Sequence, residues 1–261
     1  MQKALGMILL IAIAGYAAAC LALFAFQRSL IYFPPTSPSV LAPQTSTLAV
    51  PGAQVLVSER PLPGKRAVIY LGGNAEDVSA SLPLLDSAFP DHALYLMHYR
   101  GYAGSSGKPT EKALVSDALA LFDRVGAQHG EIVVIGRSLG SGVAVQVASL
   151  RPVSKLVLVT PFDSFGELAA QQFPYFPVRW LLRDRYESGK YAAQVKAPTL
   201  ILAAGQDEII PARSTQLLLS RFADGVATME VIQGAGHNSI SESAAYIPML
   251  QWAGVKSVGA R

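Results

Sequence analysis

Residues 4–26 are almost wholly apolar, and no charged residue lies between Lys3 and Arg28. At 1.5 Å per residue these positions predict a helix of about 34 Å, enough to cross a hydrocarbon core of about 30 Å. A helix in the core of a soluble domain would rarely be apolar on every face for so long. The competing reading is a cleaved signal peptide, whose apolar region usually runs only about 7–15 residues. Ala17-Ala18-Ala19-Cys20 weakly resembles a lipoprotein processing site, but residues 21–26 stay apolar where a processed chain turns polar. The pattern therefore predicts an uncleaved single-pass anchor over residues 1–32. Lys3 and the terminal amine flank one end and Arg28 the other, a slight bias toward a cytoplasmic N-terminus and an extracytoplasmic folded domain.

Beyond the anchor, Pro34, Pro35, Pro38, Pro43 and Pro51 stand among Ser, Thr and Gln. Proline blocks helix continuation and sheet donation, so residues 33–52 are expected to be an extended linker that leaves the folded domain's orientation free. From residue 53 the pattern changes to short apolar or alternating runs at 54–58, 67–71, 93–98, 131–136, 155–160, 199–203 and 227–232. Several are apolar on successive residues, as in strands covered on both faces. Helical patterns intervene at 75–87, 111–127, 138–149, 212–222 and 241–252. The alternation predicts an α/β domain over 53–261 with a mostly parallel sheet wrapped by helices. Its ligand site is expected at the carboxyl ends of the strands.

Composition narrows the function classes. The chain has 261 residues, is 51% hydrophobic and 15% charged, and carries a net charge of +3. Length allows one sizeable domain plus an appendage. No Lys/Arg run with interleaved aromatics occurs, so a nucleic-acid partner has no support. Cys20 is the one cysteine, which excludes an intrachain disulfide and a multi-cysteine metal site.

The candidate chemistry centres on Gly136-Arg137-Ser138-Leu139-Gly140, at the end of the run 132–135. A G-x-S-x-G turn needs small flanking residues because the serine backbone is strained, and the helix after it points amides at the reacting group. A glycine-rich turn that happens to contain serine is the plain alternative. Gly72-Gly73-Asn74 follows another strand, where a free N–H can approach a developing oxyanion; Asn74 and Leu139 are the expected amide donors. An ordinary helix-capping turn competes. Tyr99-Arg100-Gly101-Tyr102 opens a glycine-rich loop that lacks Walker spacing and reads as scaffolding for the site.

Gly205-Gln206-Asp207-Glu208 follows the strand at 199–203. An acid there can accept the Nδ1 hydrogen bond of a histidine; Asp207, nearer the strand end, is preferred to Glu208. Asp163 is a rival acid after another strand. Of His92, His98, His129 and His237, the last lies in Gly236-His237 and follows both serine and acid in chain order. His92 and His129 are expected to face solvent, with His98 packing near the site.

Gly73-Asn74-Ala75, Tyr99-Arg100-Gly101-Tyr102, Gly136-Arg137-Ser138-Leu139-Gly140, Asp207 and Gly236-His237 together resemble the α/β-hydrolase superfamily over about residues 54–255. The chain looks most like its membrane-anchored branch, which includes the ABHD-type protein depalmitoylases and bacterial relatives classed as serine-aminopeptidase-like hydrolases. The resemblance implies the α/β-hydrolase fold, with Ser138 as nucleophile, His237 as general base and acid, and Asp207 as its orienting partner. It implies an ester or thioester substrate and no metal or organic cofactor. Where relatives usually read His-Gly-Asn this chain has Gly72-Gly73-Asn74, a departure expected to loosen the oxyanion loop.

A short helical cap is expected at about 162–192, and its aromatic residues Phe162, Phe165, Phe173, Tyr175 and Trp180 are candidates for substrate binding. Simple packing of that cap onto the domain is the alternative, and Arg179, Arg183 and Arg185 suit a solvated face or anionic headgroups. An anchored scaffold and an aminopeptidase-like enzyme are the competing functions. The expected partners are a small-molecule or acylated substrate and, through the N-terminal helix, a membrane.

Overall fold

The computed structural model describes residues 2–35 and 44–255. Helix α1 (Gln2–Ile31) is continuous over 30 residues, exposed over residues 2–18, half-buried at Ala19, Cys20, Leu23 and Phe24, and buried at Gln27 and Ile31. Strands β1 (Gln44–Val50) and β2 (Ala53–Arg60) form an antiparallel hairpin, closed between Val50 and Ala53 by Pro51-Gly52. Gly52 has φ of 76°, a region glycine enters without steric cost.

The expected linker 33–52 is thereby corrected at its C-terminal end. Pro51 closes a hairpin rather than preventing a strand, and Thr45, Thr47 and Val50 supply β-branched residues before it. Residues 36–43 of that linker lie outside the described residues.

The remaining elements follow the alternating pattern: β3 (Arg66–Leu71), α2 (Leu82–Ala88), β4 (Ala93–Met97), α3 (Glu111–Gly126), β5 (Glu131–Arg137), α4 (Leu139–Leu150) and β6 (Lys155–Val159). A cap of three short helices comes next: α5 (Phe165–Gln172), α6 (Val178–Leu181) and α7 (Ser188–Ala192). The chain then returns to the sheet with β7 (Thr199–Ala204), α8 (Ala212–Leu219), β8 (Ala227–Ile232) and α9 (Tyr246–Gly254). Strand order is β1-β2-β4-β3-β5-β6-β7-β8, parallel from β4 to β8 and antiparallel at the β1–β2–β4 edge.

Strand β3 shows why both faces are covered. Ala67, Ile69 and Leu71 join the core layer shared with Leu114 and Leu121 of α3 and Val143 of α4. Val68 and Tyr70 point the other way, into the layer formed with Leu82 and Leu85 of α2 and Leu250 of α9. Side chains alternate across a strand, so a run apolar at every position must be buried twice.

Two helices begin later than the pattern suggests. Residues 75–81 hold Ala75 at φ of 59° and a 3-10 turn (Val78–Ser81) capped by Asp77, and α2 starts just before Pro83. A second 3-10 turn (Ile240–Glu242) precedes α9. Both displaced starts lie beside the carboxyl edge of the sheet, where the loops fold over Ser138.

Candidate active site

At the end of β5 the chain reverses through Ser138, whose φ of 48° and ψ of −116° are strained for a residue with a Cβ. The flanking glycines are required by contact. A Cβ on Gly136 would lie 2.5 Å from the Gly140 carbonyl oxygen, and one on Gly140 would collide with the Leu71 and Gly72 carbonyls. This close approach lets α4 begin directly over β3. The turn is pinned by Ser138 N–H donating to Val159 O at 2.9 Å and by Ser141 Oγ donating to Ser138 O at 2.6 Å.

Ser138 Oγ lies 2.9 Å from His237 Nε2, and His237 Nδ1 lies 3.0 and 2.9 Å from the two carboxylate oxygens of Asp207. His237 is only 3% exposed. Asp207 Oδ1 also accepts the amides of Ile209 and Ile210, at 3.0 and 2.7 Å. Burial pushes the Asp207 carboxyl up, but the His237 bond and these amides outweigh it and hold the group below its usual range.

Of the two neighbouring acids, Asp207 reaches the imidazole. Glu208 instead accepts the His237 backbone N–H at 3.0 Å, which lowers its own pKa. Asp163 stands apart, 3.6 Å from Arg221 Nε, its carboxyl pushed up by burial.

A cavity of ≈ 520 Å³ opens over Ser138, with Asn74, Leu139, Phe162, Phe165 and Phe173 in its walls. Tyr175 and Trp180 are not among its lining residues and are each 85% exposed, which corrects their expected place in the substrate pocket. They project outward from the turn after α5 and from α6. Aromatic density in the sequence did not distinguish the two faces of the cap.

The loop at Gly72–Asn74 is firmly held. Gly73 N–H donates to Glu76 Oε2 at 2.6 Å, Tyr99 OH to Gly72 O at 2.8 Å, and Tyr102 OH to Asn74 Oδ1 at 2.7 Å. Arg100 forms a two-point pair with the buried Asp117 at 2.6 and 2.7 Å. A Cβ at Gly72 would lie 2.5 Å from Val78 Cγ1. The expected loosening at this glycine is therefore replaced by tight packing and by hydroxyl anchors from the Tyr99 loop.

Asn74 has a second task that its sequence context does not reveal. Its side-chain NH₂ donates to Ile31 O at 2.6 Å and its Oδ1 accepts Phe33 N–H at 3.1 Å, so it clasps the end of α1. Ile31 itself lines the cavity. Arg28 pairs with Asp184 at 2.9 Å, and Tyr32 OH lies 2.8 Å from Tyr186 OH. The expectation that the linker leaves the domain's orientation free is corrected: the C-terminal turns of α1 are fixed to the domain. The polar residues Gln27, Arg28 and Tyr32 after the apolar run are the signal for this contact.

The other histidines are structural. His92 and His129 are 2% and 6% exposed rather than solvent-facing. His92 Nδ1 bonds Asp91, His129 Nε2 bonds Tyr95 OH, and His98 Nε2 bonds Ser58 Oγ. Among the described residues no group of three or more His, Cys, Asp or Glu side chains is placed to hold a metal ion.

Residues 62–194 match the family model described as "Alpha/beta hydrolase family". An uncharacterized protein of Mycobacterium tuberculosis is 36% identical over 235 residues, covering 81% of this chain and 80% of that protein. The chain belongs to the alpha/beta hydrolase family. The hydrolase is also 31% identical over 199 residues to the alpha/beta hydrolase domain-containing protein aho-3 of Caenorhabditis elegans, covering 74% of this chain and 58% of that protein. An esterase from Pyrococcus furiosus shares its fold with a TM-score of 0.67 at 17% identity, over 84% of this chain and 93% of the esterase. A thioesterase domain from the curacin biosynthetic pathway does so with a TM-score of 0.60 at 15% identity, over 80% and 99%. At these identities the two structures speak to the fold of the hydrolase alone.

Proposed function

We propose that this hydrolase cleaves ester or thioester bonds of lipidic or acylated substrates through a serine-bound acyl intermediate. The observation that carries the reading is the hydrogen-bonded series Ser138–His237–Asp207 at the floor of an apolar cavity. Ser138 Oγ attacks the carbonyl carbon while His237 Nε2 takes its proton. The amides of Asn74 and Leu139 receive the negative charge that develops on the carbonyl oxygen. Collapse expels the alcohol or thiol, which leaves with the proton held by His237. Water then attacks the acyl–serine ester, His237 again accepting a proton, and the acid departs with Ser138 restored. Asp207 fixes the imidazole with its Nδ1–H toward the carboxylate and offsets the imidazolium charge.

Among the described residues no Asp or Glu lines the cavity. A peptidase that grips a free amino terminus needs such a carboxylate, whereas the charged arginine in the lining is Arg137, so the cavity disfavours a cationic amino terminus. We place the chain in the membrane-anchored, depalmitoylase-like branch, with α1 as anchor and the folded domain outside the cytoplasm. The most apolar window of α1 has a mean hydropathy of 2.5 and none of it is buried, and the helix end is built into the domain, which supports retention over cleavage.

A fluorophosphonate probe tests the chemistry: labelling of the full chain is expected to vanish in Ser138→Ala. Hydrolysis of p-nitrophenyl esters should exceed that of aminoacyl nitroanilides. A profile dominated by aminoacyl substrates would replace the esterase by a peptidase. A folded protein that neither labels nor hydrolyses would leave only a scaffold.

A further inference from the structure

Resting on the esterase reading, we propose that the substrate's own acyl chain lies in a slot between α1 and the cap, entered from the bilayer. The cavity over Ser138 does not end at the cap. Ile31, Phe165, Ala169 and Phe173 also line an adjoining slot of ≈ 100 Å³, whose far walls include Leu23 and Leu30 of α1 and Val178 and Leu182 of the cap. Leu23, Leu30, Phe173 and Phe176 pass from the slot to an outer trough of ≈ 390 Å³ on the flank of the helix.

The slot offers a ligand almost entirely apolar surface. Its one polar lining residue, Gln27, is already committed: the side-chain NH₂ donates to Phe24 O and Leu181 O, at 2.8 and 3.2 Å, and Oε1 accepts Arg183 N–H at 2.7 Å. An alkyl chain is the ligand that loses nothing there, since a polar group would find no free partner.

Depth in the membrane supplies the second argument. The cap meets α1 as far up as Tyr16, whose OH donates to Tyr175 O at 2.8 Å and whose ring stacks on Phe176 at 5.8 Å. Arg183 lies over the Phe24 ring at 4.1 Å. Residues 2–15 span only about 21 Å of helix, short of a hydrocarbon core of about 30 Å. If the apolar run fills the bilayer, the tip of the cap reaches inside the hydrocarbon core. Tyr175 and Trp180, exposed and outside the cavity, then face lipid. The trough opens to lipid, and a chain moving along α1 arrives with its carbonyl at Ser138.

The test uses the full chain in phosphatidylcholine vesicles. With p-nitrophenyl esters from butyrate to palmitate, kcat/KM is expected to rise by about fourfold per methylene while the chain enters the slot, then to level off. Leu30→Trp and Val178→Trp, on opposite walls, should each reduce the palmitate-to-butyrate ratio of kcat/KM by about tenfold or more. A fluorophosphonate with a long alkyl chain ending in a diazirine should label Ser138 and crosslink to peptides containing Leu23, Leu30 or Phe176. Butyrate hydrolysis with a flat chain-length profile, or crosslinks mapping elsewhere, would overturn the slot and leave the esterase reading standing. A bilayer lipid retained in the slot while the probe's chain crosslinks elsewhere would overturn it too. A folded protein without fluorophosphonate labelling would bring down the esterase reading itself.

Discussion

Replacing Asp207 by Asn tests the proposed proton route at one atom. Asp207 Oδ1 accepts two backbone amides, from Ile209 and Ile210, whereas Oδ2 faces the imidazole alone. An asparagine must therefore keep its oxygen at the Oδ1 place, and its NH₂ group falls where Oδ2 stood, 2.9 Å from His237 Nδ1. Two N–H groups cannot face each other at that distance. The retained Oδ1, 3.0 Å from Nδ1, can still accept there, but the NH₂ at the nearer place opposes that hydrogen and favours the other tautomer, with Nδ1 bare and the hydrogen on Nε2, toward Ser138. A ring in that state cannot take the serine proton, and the charge that offsets the imidazolium is gone. The expected loss in kcat is about 10⁴, or about 5.4 kcal/mol of barrier at about 1.36 kcal/mol per decade. The assay is steady-state hydrolysis of p-nitrophenyl butyrate, with a thermal melt to verify folding. A folded Asp207→Asn enzyme within tenfold of the parent would refute the proposed route through His237.

Asp207 also sets an acid limit. Its folded pKa lies below the unfolded value of about 3.9, so its contribution to stability is complete above that value and is lost as pH falls through the folded pKa. The difference in melting temperature between parent and Asp207→Asn at pH 7 should therefore shrink below about pH 4, which calorimetry from pH 7 to 3 measures. Asp117→Asn breaks the two-point pair that holds Arg100, whose partner carboxylate is 1% exposed, and should cost about 3–5 kcal/mol in denaturant unfolding. Gly140→Ala gains about 1 kcal/mol of helix propensity but drives a methyl into the Leu71 and Gly72 carbonyls. Net destabilisation with a fall in kcat is expected; an unchanged melting temperature would show that α4 can move off β3 freely.

Much of this arrangement was legible in the sequence because burial on both faces leaves a local mark. The runs that became β3, β5 and β6 are apolar at nearly every position, and the motifs that end β5, β7 and β8 bring Ser138, Asp207 and His237 to one edge. Contacts between distant segments leave no such mark. Gln27, Arg28 and Tyr32 signal that the helix end makes a contact, but nothing points to the partner Asp184, 156 residues from Arg28, and nothing near Asn74 signals Ile31. The strand β1 was hidden for the opposite reason, since its flanking prolines speak for a linker and only pairing with β2 reveals its role. In the cap, composition located the aromatic residues but not their directions: Phe162 is 2% exposed, whereas Tyr175 is 85% exposed.

The clasp between Asn74 and the last turn of α1 carries a practical and a physiological consequence. A fragment beginning at Phe33, the obvious choice for a water-soluble preparation, strips the Asn74 NH₂ of its Ile31 acceptor and removes one wall of the cavity above Ser138. Its turnover would describe a damaged pocket. By the same logic, and on the proposed esterase reading, a protease that shed this domain from its helix would impair it, so release and loss of activity would be coupled.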